Sequence, residues 1–169
     1  MIWLRTLGFT VLAPGTVAVL LPWLVLRLGV RPDAPGPWRW AGVPLLAAGA
    51  ATYLWCARDF VVRGRGTPAP WDAPKALVAE GLYARVRNPM YVGIVAIVLG
   101  EAAWFGAPLL AAYAALVWVV FHLRVLLYEE PVLDRDFGDA WRRYRDAVPR
   151  WLPRLTAAPR AREPGRRSP

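Results

Sequence analysis

The sequence is poor in the side chains that bind metals and form disulfide bonds. It has one cysteine, Cys56, and one histidine, His122. A single cysteine excludes an intramolecular disulfide framework and a thiolate metal cluster, and a single histidine excludes a metal site built on a histidine pair. Cys56 lies near the end of an apolar run, where a thiol is most simply a small apolar filler.

A glycine-rich G-x-G-x-x-G turn is also absent, as is any alternation of strand and helix patterns. Both are typical of proteins that bind a dinucleotide on a Rossmann fold. Lys75 is the only lysine, against twenty arginines, and the net charge is +9. No nucleic-acid-binding motif is visible. Arginines beside anionic lipid account for the charge, so we expect no nucleic-acid partner.

Apolar residues make up 57% of the sequence and come in long blocks. A bilayer span takes roughly 20 mostly apolar residues. Pro14 and Pro22 predict irregularities in the first block, which membrane helices tolerate. This block is too long for a signal peptide. The sequence therefore predicts an all-α, polytopic membrane protein with about four transmembrane helices, at residues 7–28, 40–57, 90–104 and 107–127.

The basic residues are distributed unevenly along the chain. Four of the 21 precede residue 40, six lie in 58–87, and eleven follow residue 123. Because cytoplasmic loops of membrane proteins are enriched in basic residues, we expect the 58–89 loop and both termini to face the cytoplasm. The bias towards arginine, alanine, proline and glycine is typical of GC-rich bacterial genomes, which suggests a bacterial cytoplasmic membrane.

A segment after the fourth block has the pattern of an amphipathic helix, with Pro131 in its first turn. We expect it either to lie along the cytoplasmic interface or to pack back on the spans. Residues 1–155 are predicted to form one membrane domain, and residues 156–169 a disordered basic tail. The apolar face recurs at three- and four-residue spacing: Leu133, Phe137, Trp141, Tyr144 and Val148.

Two polar clusters lie at the same end of the predicted hairpin of spans three and four. One is the sequence GLYARVRNPMYVG at residues 81–93, and the other is Arg124 with Glu129 and Glu130. A helix that starts at Pro89 also offers free backbone N–H groups to an anion. The clusters predict an aromatic-lined, charged pocket at the membrane surface. The alternative is an interfacial anchor, in which the arginines bind lipid phosphates.

Together these segments resemble the isoprenylcysteine carboxyl methyltransferase family and the related phospholipid methyltransferases. The family pattern is G-x-Y-x-x-x-R-H-P-x-Y-x-G, a helical hairpin, E-E-x-x-L-x-x-x-F-G-x-x-Y/W-x-x-Y and a closing V-P, and it corresponds to residues 75–153 here. The resemblance implies an integral membrane enzyme that transfers a methyl group from S-adenosylmethionine. Its acceptor would be lipophilic or membrane-delivered and would react through a carboxylate, an amine or a thiolate.

The resemblance also implies site residues. In the isoprenylcysteine enzymes an arginine that contacts substrate falls at the position of Val125, so the neighbouring Arg124 is the candidate for substrate positioning. Gly81 and Gly93 would allow close backbone approach. The residues implied to bind the cofactor are Lys75, Ala76, Leu77, Val78, Tyr83, Asn88, Pro89, Met90, Tyr91, Glu129 and Glu130.

One departure from the family pattern concerns Asn88, which replaces the usual histidine. An asparagine cannot accept a proton as a base, so we expect Asn88 to hydrogen-bond the cofactor or its nearby loop. His122 is expected to be a packing residue, and it is the alternative proton acceptor. Two other functions stay open at this point: a sterol-reductase-like membrane enzyme that uses NADPH, and a non-catalytic membrane protein that binds cofactor or lipid.

Overall fold

The computed structural model of the chain describes residues 2–28, 36–64, 67, 69 and 76–154. All regular structure in these ranges is helical, which confirms the predicted all-α class. Two π turns, Thr16–Leu20 and Val125–Glu129, and two 3-10 turns, Pro37–Ala41 and Gly81–Ala84, connect the longer helices. The α-helices are α1 (Ile2–Gly15), α2 (Leu21–Arg27), α3 (Gly42–Val62), α4 (Pro89–Phe105), α5 (Pro108–Arg124) and α6 (Glu130–Ala147).

Among the described residues, three stretches are long and apolar enough to cross a membrane: Ile2–Arg27, Arg39–Val62 and Pro108–Ala147. Helix α4 is also apolar but is shorter. Large apolar side chains on these helices point away from the protein, among them Leu4 at 74% exposed and Leu54 at 63%. Such a surface is costly in water and favourable in lipid, so the predicted polytopic membrane protein is confirmed.

The first span contains a π turn between its two prolines. The N–H of Leu21 donates to the carbonyl of Thr16, five residues back. In this register Pro22, which has no N–H, would be the partner of the Val17 carbonyl. The hydroxyl of Tyr113, on α5, donates to that carbonyl instead, at 2.9 Å. The predicted irregularity is therefore a widened turn, and its Val17 carbonyl forms a hydrogen bond between the first span and α5.

Helices α3 and α4 pack closely because glycines face each other at two levels. A Cβ built on Gly49 would lie 2.6 Å from the Gly93 carbonyl, and one on Gly42 would lie 2.5 Å from the Gly100 carbonyl. Small residues at such positions let the backbones of membrane helices come into direct contact. The close approach expected at Gly93 is thus made to α3, and Gly93 does not line the cavity described below.

A tight hairpin joins α4 to α5, as the Gly-Ala-Pro sequence predicts. Helix α4 continues past Glu101 to Phe105, and Gly106 adopts a left-handed conformation with φ of 60°. Pro108 occupies the first turn of α5. The hairpin brings the start of α4 and the end of α5 to the same side of the molecule, so the two polar clusters meet.

The predicted amphipathic helix is present as α6, and its buried Trp141 and its Tyr144 contact residues 83–87, the stretch that leads into α4. It is not a separate element, because α5 continues through the π turn into α6 without a break. Gly138 bends it, with φ of 49° and ψ of −122°. The predicted tail, 156–169, and most of the 63–74 loop lie outside the described residues.

Candidate active site

A cavity of about 560 Å³ lies between the start of α4, the end of α5, α6 and the first span. Nearly all the described residues predicted for the site line it. Pro89 begins α4 and is not among the lining residues, and Lys75 lies outside the described residues. The predicted residues on its walls are Ala76, Leu77, Val78, Tyr83, Asn88, Met90, Tyr91, Arg124, Glu129 and Glu130.

The short 3-10 turn before α4 fixes Tyr83 on one wall. Gly81 begins this turn with φ of 62°, and a Cβ there would lie 2.8 Å from the Asp59 carboxylate and from the Arg63 guanidinium. Only glycine fits, so the turn sits directly on the end of α3. The close backbone approach expected at Gly81 is thus made to the end of α3, and Gly81 does not line the cavity. Burial raises the pKa of the Tyr83 phenol well above its ordinary value, so it stays protonated.

Glu129 is the centre of a hydrogen-bonded group on the opposite wall. Its Oε1 accepts from the Arg124 Nε at 2.7 Å and from the hydroxyl of Tyr91. The same Nε lies 3.1 Å from the Tyr91 oxygen. The ring of Phe121 stacks on that of Tyr91 with centroids 4.2 Å apart. Both hydrogen bonds use Oε1, and no described residue donates to Oε2.

The π turn explains how Arg124 reaches Glu129. Five residues along a regular α-helix correspond to about 500° of rotation, so the two side chains would point about 140° apart. A π turn bonds residues five apart and therefore places them on the same face. Val125 stands at the position where the isoprenylcysteine enzymes resembled by this sequence have their substrate-contacting arginine, and its side chain is 1% exposed. Arg124 supplies the cationic side chain at this wall instead.

The Glu130 carboxylate is held by two arginines. Arg87 Nη1 lies 2.9 Å from Oε1, while Arg150 donates from Nε to Oε1 at 2.7 Å and from Nη2 to Oε2 at 3.0 Å. Burial lowers the pKa of the Arg87 guanidinium, and the Glu130 carboxylate opposes that shift. Arg87 and Arg124 both bind glutamates, which disfavours the interpretation that they serve as anchors to lipid phosphates.

Asn88 and His122 both contact the segment that follows α6. Asn88 Nδ2 donates to the Arg150 carbonyl at 3.2 Å, and Asn88 also lines the cavity. The His122 Nδ1 accepts a hydrogen bond from Trp151 Nε1 at 3.0 Å, and its ring stacks on Trp118. His122 is not among the cavity residues. Its contacts are those of a packing residue.

Sequence reasoning missed two parts of the site. Arg150 stands beside the closing V-P of the family pattern, a local signal that could have drawn attention to it. The wall formed by the first span has no such signal, because its residues differ little from the lipid-facing ones beside them. They are Phe9, Leu12, Ala13, Pro14 and Val17. The predicted apolar face of α6 supplies a further wall, with Leu133, Phe137, Trp141 and Tyr144.

The sequence pattern of the phospholipid methyltransferase family matches residues 38–140, which is more than half of the chain. This chain belongs to the phospholipid methyltransferase family. The matched residues include the hairpin, both polar clusters and the π turn. The family membership predicted from the two motifs is therefore confirmed. Two parts of the site in this family member lie outside the match: the wall from the first span and the segment after residue 140.

Curated relatives agree with this assignment. The chain is 38% identical over 78 residues to a protein-S-isoprenylcysteine O-methyltransferase of Schizosaccharomyces pombe, an alignment that covers 46% of the chain and 33% of that relative. It is 36% identical over 78 residues to protein-S-isoprenylcysteine O-methyltransferase B of Arabidopsis thaliana, over 46% of the chain and 39% of that relative. The match thus spans less than half the length of either relative.

An uncharacterized protein of Haemophilus influenzae is 33% identical over 63 residues, which cover 37% of the chain and all of that protein. No solved structure matches the chain.

Proposed function

We propose that this chain is a methyltransferase that moves a methyl group from S-adenosylmethionine to a lipophilic or membrane-delivered acceptor. The observation that carries the proposal is that both family motifs converge on one cavity. Asn88 and Tyr91 come from one motif and Glu129 and Glu130 from the other, about 40 residues apart in sequence. A site of about 560 Å³ lies within the range of small-molecule pockets.

The donor and acceptor groups of the cavity fit the proposed cofactor. Oε2 of Glu129, to which no described residue donates, would accept hydrogen bonds from the ammonium group or ribose hydroxyls of the cofactor. Tyr83 and Tyr91 present aromatic faces that suit adenine, or a sulfonium through a cation–π contact. Asn88 would hydrogen-bond the cofactor beside the backbone N–H groups at the start of α4. When bound, S-adenosylmethionine supplies an electrophilic methyl group.

The protein's part in such a reaction is to align the acceptor and to exclude water. Arg124 holds Glu129 and stands beside Val125, so it would position the acceptor at the polar wall. The mostly apolar walls from the first span and α6 would hold the lipophilic part of the acceptor. A carboxylate, an amine and a thiolate remain the candidate acceptor groups.

The proposed location is a bacterial cytoplasmic membrane, with the cavity and both termini on the cytoplasmic side. The cavity lies at the end of the molecule where α3 ends, α4 starts and α5 ends. The basic loop between α3 and α4 and the basic residues after α5 therefore share its side. Basic segments are retained in the cytoplasm, which supports this orientation.

Isothermal titration of the purified protein in detergent tests the cofactor directly. We expect S-adenosylhomocysteine, the demethylated product of the cofactor, to bind and NADPH not to bind. Binding of NADPH alone would refute the proposal in favour of a reductase. If S-adenosylhomocysteine binds and no lipophilic acid, amine or thiol is methylated, the chain is a cofactor-binding protein without this activity.

Glu129→Gln tests the assigned carboxylate. Loss of a charge-assisted hydrogen bond to the cofactor is expected to weaken S-adenosylhomocysteine binding by about 1.5–3 kcal/mol, roughly ten- to a hundredfold. The partner Arg124 is 40% exposed, so loss of the ion pair is expected to cost only about 0.2–1 kcal/mol of folding stability. Asp139→Asn, on the exposed face of α6, is the matched control. An unchanged dissociation constant in folded Glu129→Gln would remove this residue from the site.

A further inference from the structure

Residues 148–154, called here the C-terminal strap, lie across the stretch that leads into α4. The N–H of Arg87 donates to the Pro149 carbonyl at 2.9 Å, and the N–H of Arg154 donates to the Arg85 carbonyl at 3.0 Å. The two stretches run antiparallel. Val148 is 2% exposed, so the strap is anchored where it leaves α6. It begins with the closing V-P of the family pattern and lies beyond the matched residues 38–140.

One strap residue, Arg150, contacts both family motifs at once. Its guanidinium binds both oxygens of Glu130, and its carbonyl accepts the hydrogen bond from the Asn88 side chain. Glu130 begins α6, and Asn88 is the residue before α4. The side chain of Glu130 is only 14% exposed, so this paired geometry is shielded from water.

The geometry of the guanidinium matters because Arg87 binds only Oε1 of Glu130. A carboxylate held at one oxygen can still rotate about its last torsion. Two parallel N–H bonds from a planar guanidinium fix the plane of the carboxylate as well. The carbonyl of Arg150 likewise holds the Asn88 amide by its nitrogen end, which fixes how that amide is turned at the cavity.

We propose that Arg150 is a positioning residue, which sets the orientation of Asn88 through its carbonyl and of Glu130 through its guanidinium. This inference rests on the proposed function, because the two residues it orients are assigned to the cofactor. It adds a residue that directly follows the closing V-P of the family pattern and lies beyond the matched residues 38–140. The strap thereby completes the polar part of the site from beyond residue 140.

Two substitutions and one control test the proposal. Arg150→Gln removes the positive charge and the paired N–H donors of the guanidinium. We expect it to raise the dissociation constant of S-adenosylhomocysteine roughly five- to tenfold, the effect of about one hydrogen bond. Arg150→Lys keeps the positive charge and loses the paired N–H donors, so a smaller increase in the dissociation constant is expected. Arg143→Gln changes the charge equally at an exposed position of α6 and is expected to bind as the unmodified protein does.

A double variant separates positioning from a general loss of structure. If Arg150 acts through Glu130, then Arg150→Gln combined with Glu130→Gln weakens binding no more than the stronger single change. Additive effects would overturn the proposal, as would an Arg150→Gln protein with unchanged affinity. A lysine variant that is no better than the glutamine variant would also overturn it.

Hydrogen exchange provides a measurement that needs no ligand. We expect faster amide exchange in peptides 83–91 and 148–154 of Arg150→Gln, and no change in Arg143→Gln. If the unmodified protein does not bind S-adenosylhomocysteine, the proposed function fails, and exchange alone decides whether Arg150 holds the two stretches together. Unchanged exchange in both peptides of Arg150→Gln would refute the positioning role whatever the cofactor.

Discussion

The contact between α3 and α4 allows a prediction whose size follows from the structure. Gly49→Ala would place its Cβ 2.6 Å from the Gly93 carbonyl and 2.8 Å from Ile97 Cγ1. To restore an ordinary contact, the helices must separate by about 1 Å, and such overpacking costs about 1–3 kcal/mol. The nearest obstacle is backbone, which cannot rotate out of the way as a flexible side chain can.

The opposing effect is helix propensity, since alanine is favoured over glycine by up to about 1 kcal/mol in a helix interior. Gly8→Ala measures this term separately, because a Cβ on Gly8 in α1 has no neighbour within 4 Å. We expect Gly8→Ala to be neutral or slightly stabilising. The difference in stability between the two variants then isolates the packing cost.

Thermal unfolding in detergent micelles is the assay. At about 2–4 °C per kcal/mol for a chain of this size, Gly49→Ala should melt several degrees below Gly8→Ala. Because Asn88 directly precedes α4 and Tyr91 lies in its first turn, displacement of α4 should also weaken cofactor binding. If Gly49→Ala melts at the temperature of Gly8→Ala or above it, the close packing described for α3 and α4 is wrong.

Three further outcomes are expected. Asn88→Ala should weaken cofactor affinity by about 1 kcal/mol with little change in turnover at saturating cofactor, while Asn88→His should retain activity; abolished turnover at unchanged affinity would contradict a cofactor-holding role. Ser168→Cys in a Cys56→Ala background should resist labelling from the periplasm of intact cells, and periplasmic labelling would reverse the proposed orientation. His122→Phe should disturb Trp151 and leave the cofactor dissociation constant unchanged, and a large loss of affinity would place His122 in the site.

Much of this protein follows from local patterns in the sequence. Hydropathy and length locate the spans, because burying about 20 residues in lipid is a property of a continuous segment. The Gly-Ala-Pro hairpin and the apolar face of α6 likewise depend only on neighbours within a few residues. The two family motifs also lie in short stretches, so ten of the 28 cavity residues are named by the sequence without coordinates.

Only the tertiary structure decided which side chains from distant parts of the chain lie against one another. Periodicity places Arg124 and Glu129 on different faces of an α-helix, and only the π turn, which the sequence pattern does not signal, brings them together. The apolar face of α6 is equally compatible with lipid and with protein, and packing directs it to the cavity. The bonds from Arg150 to Glu130 and Asn88 join residues 20 and 62 positions apart. Such contacts depend on how the helices pack, and no local propensity encodes them.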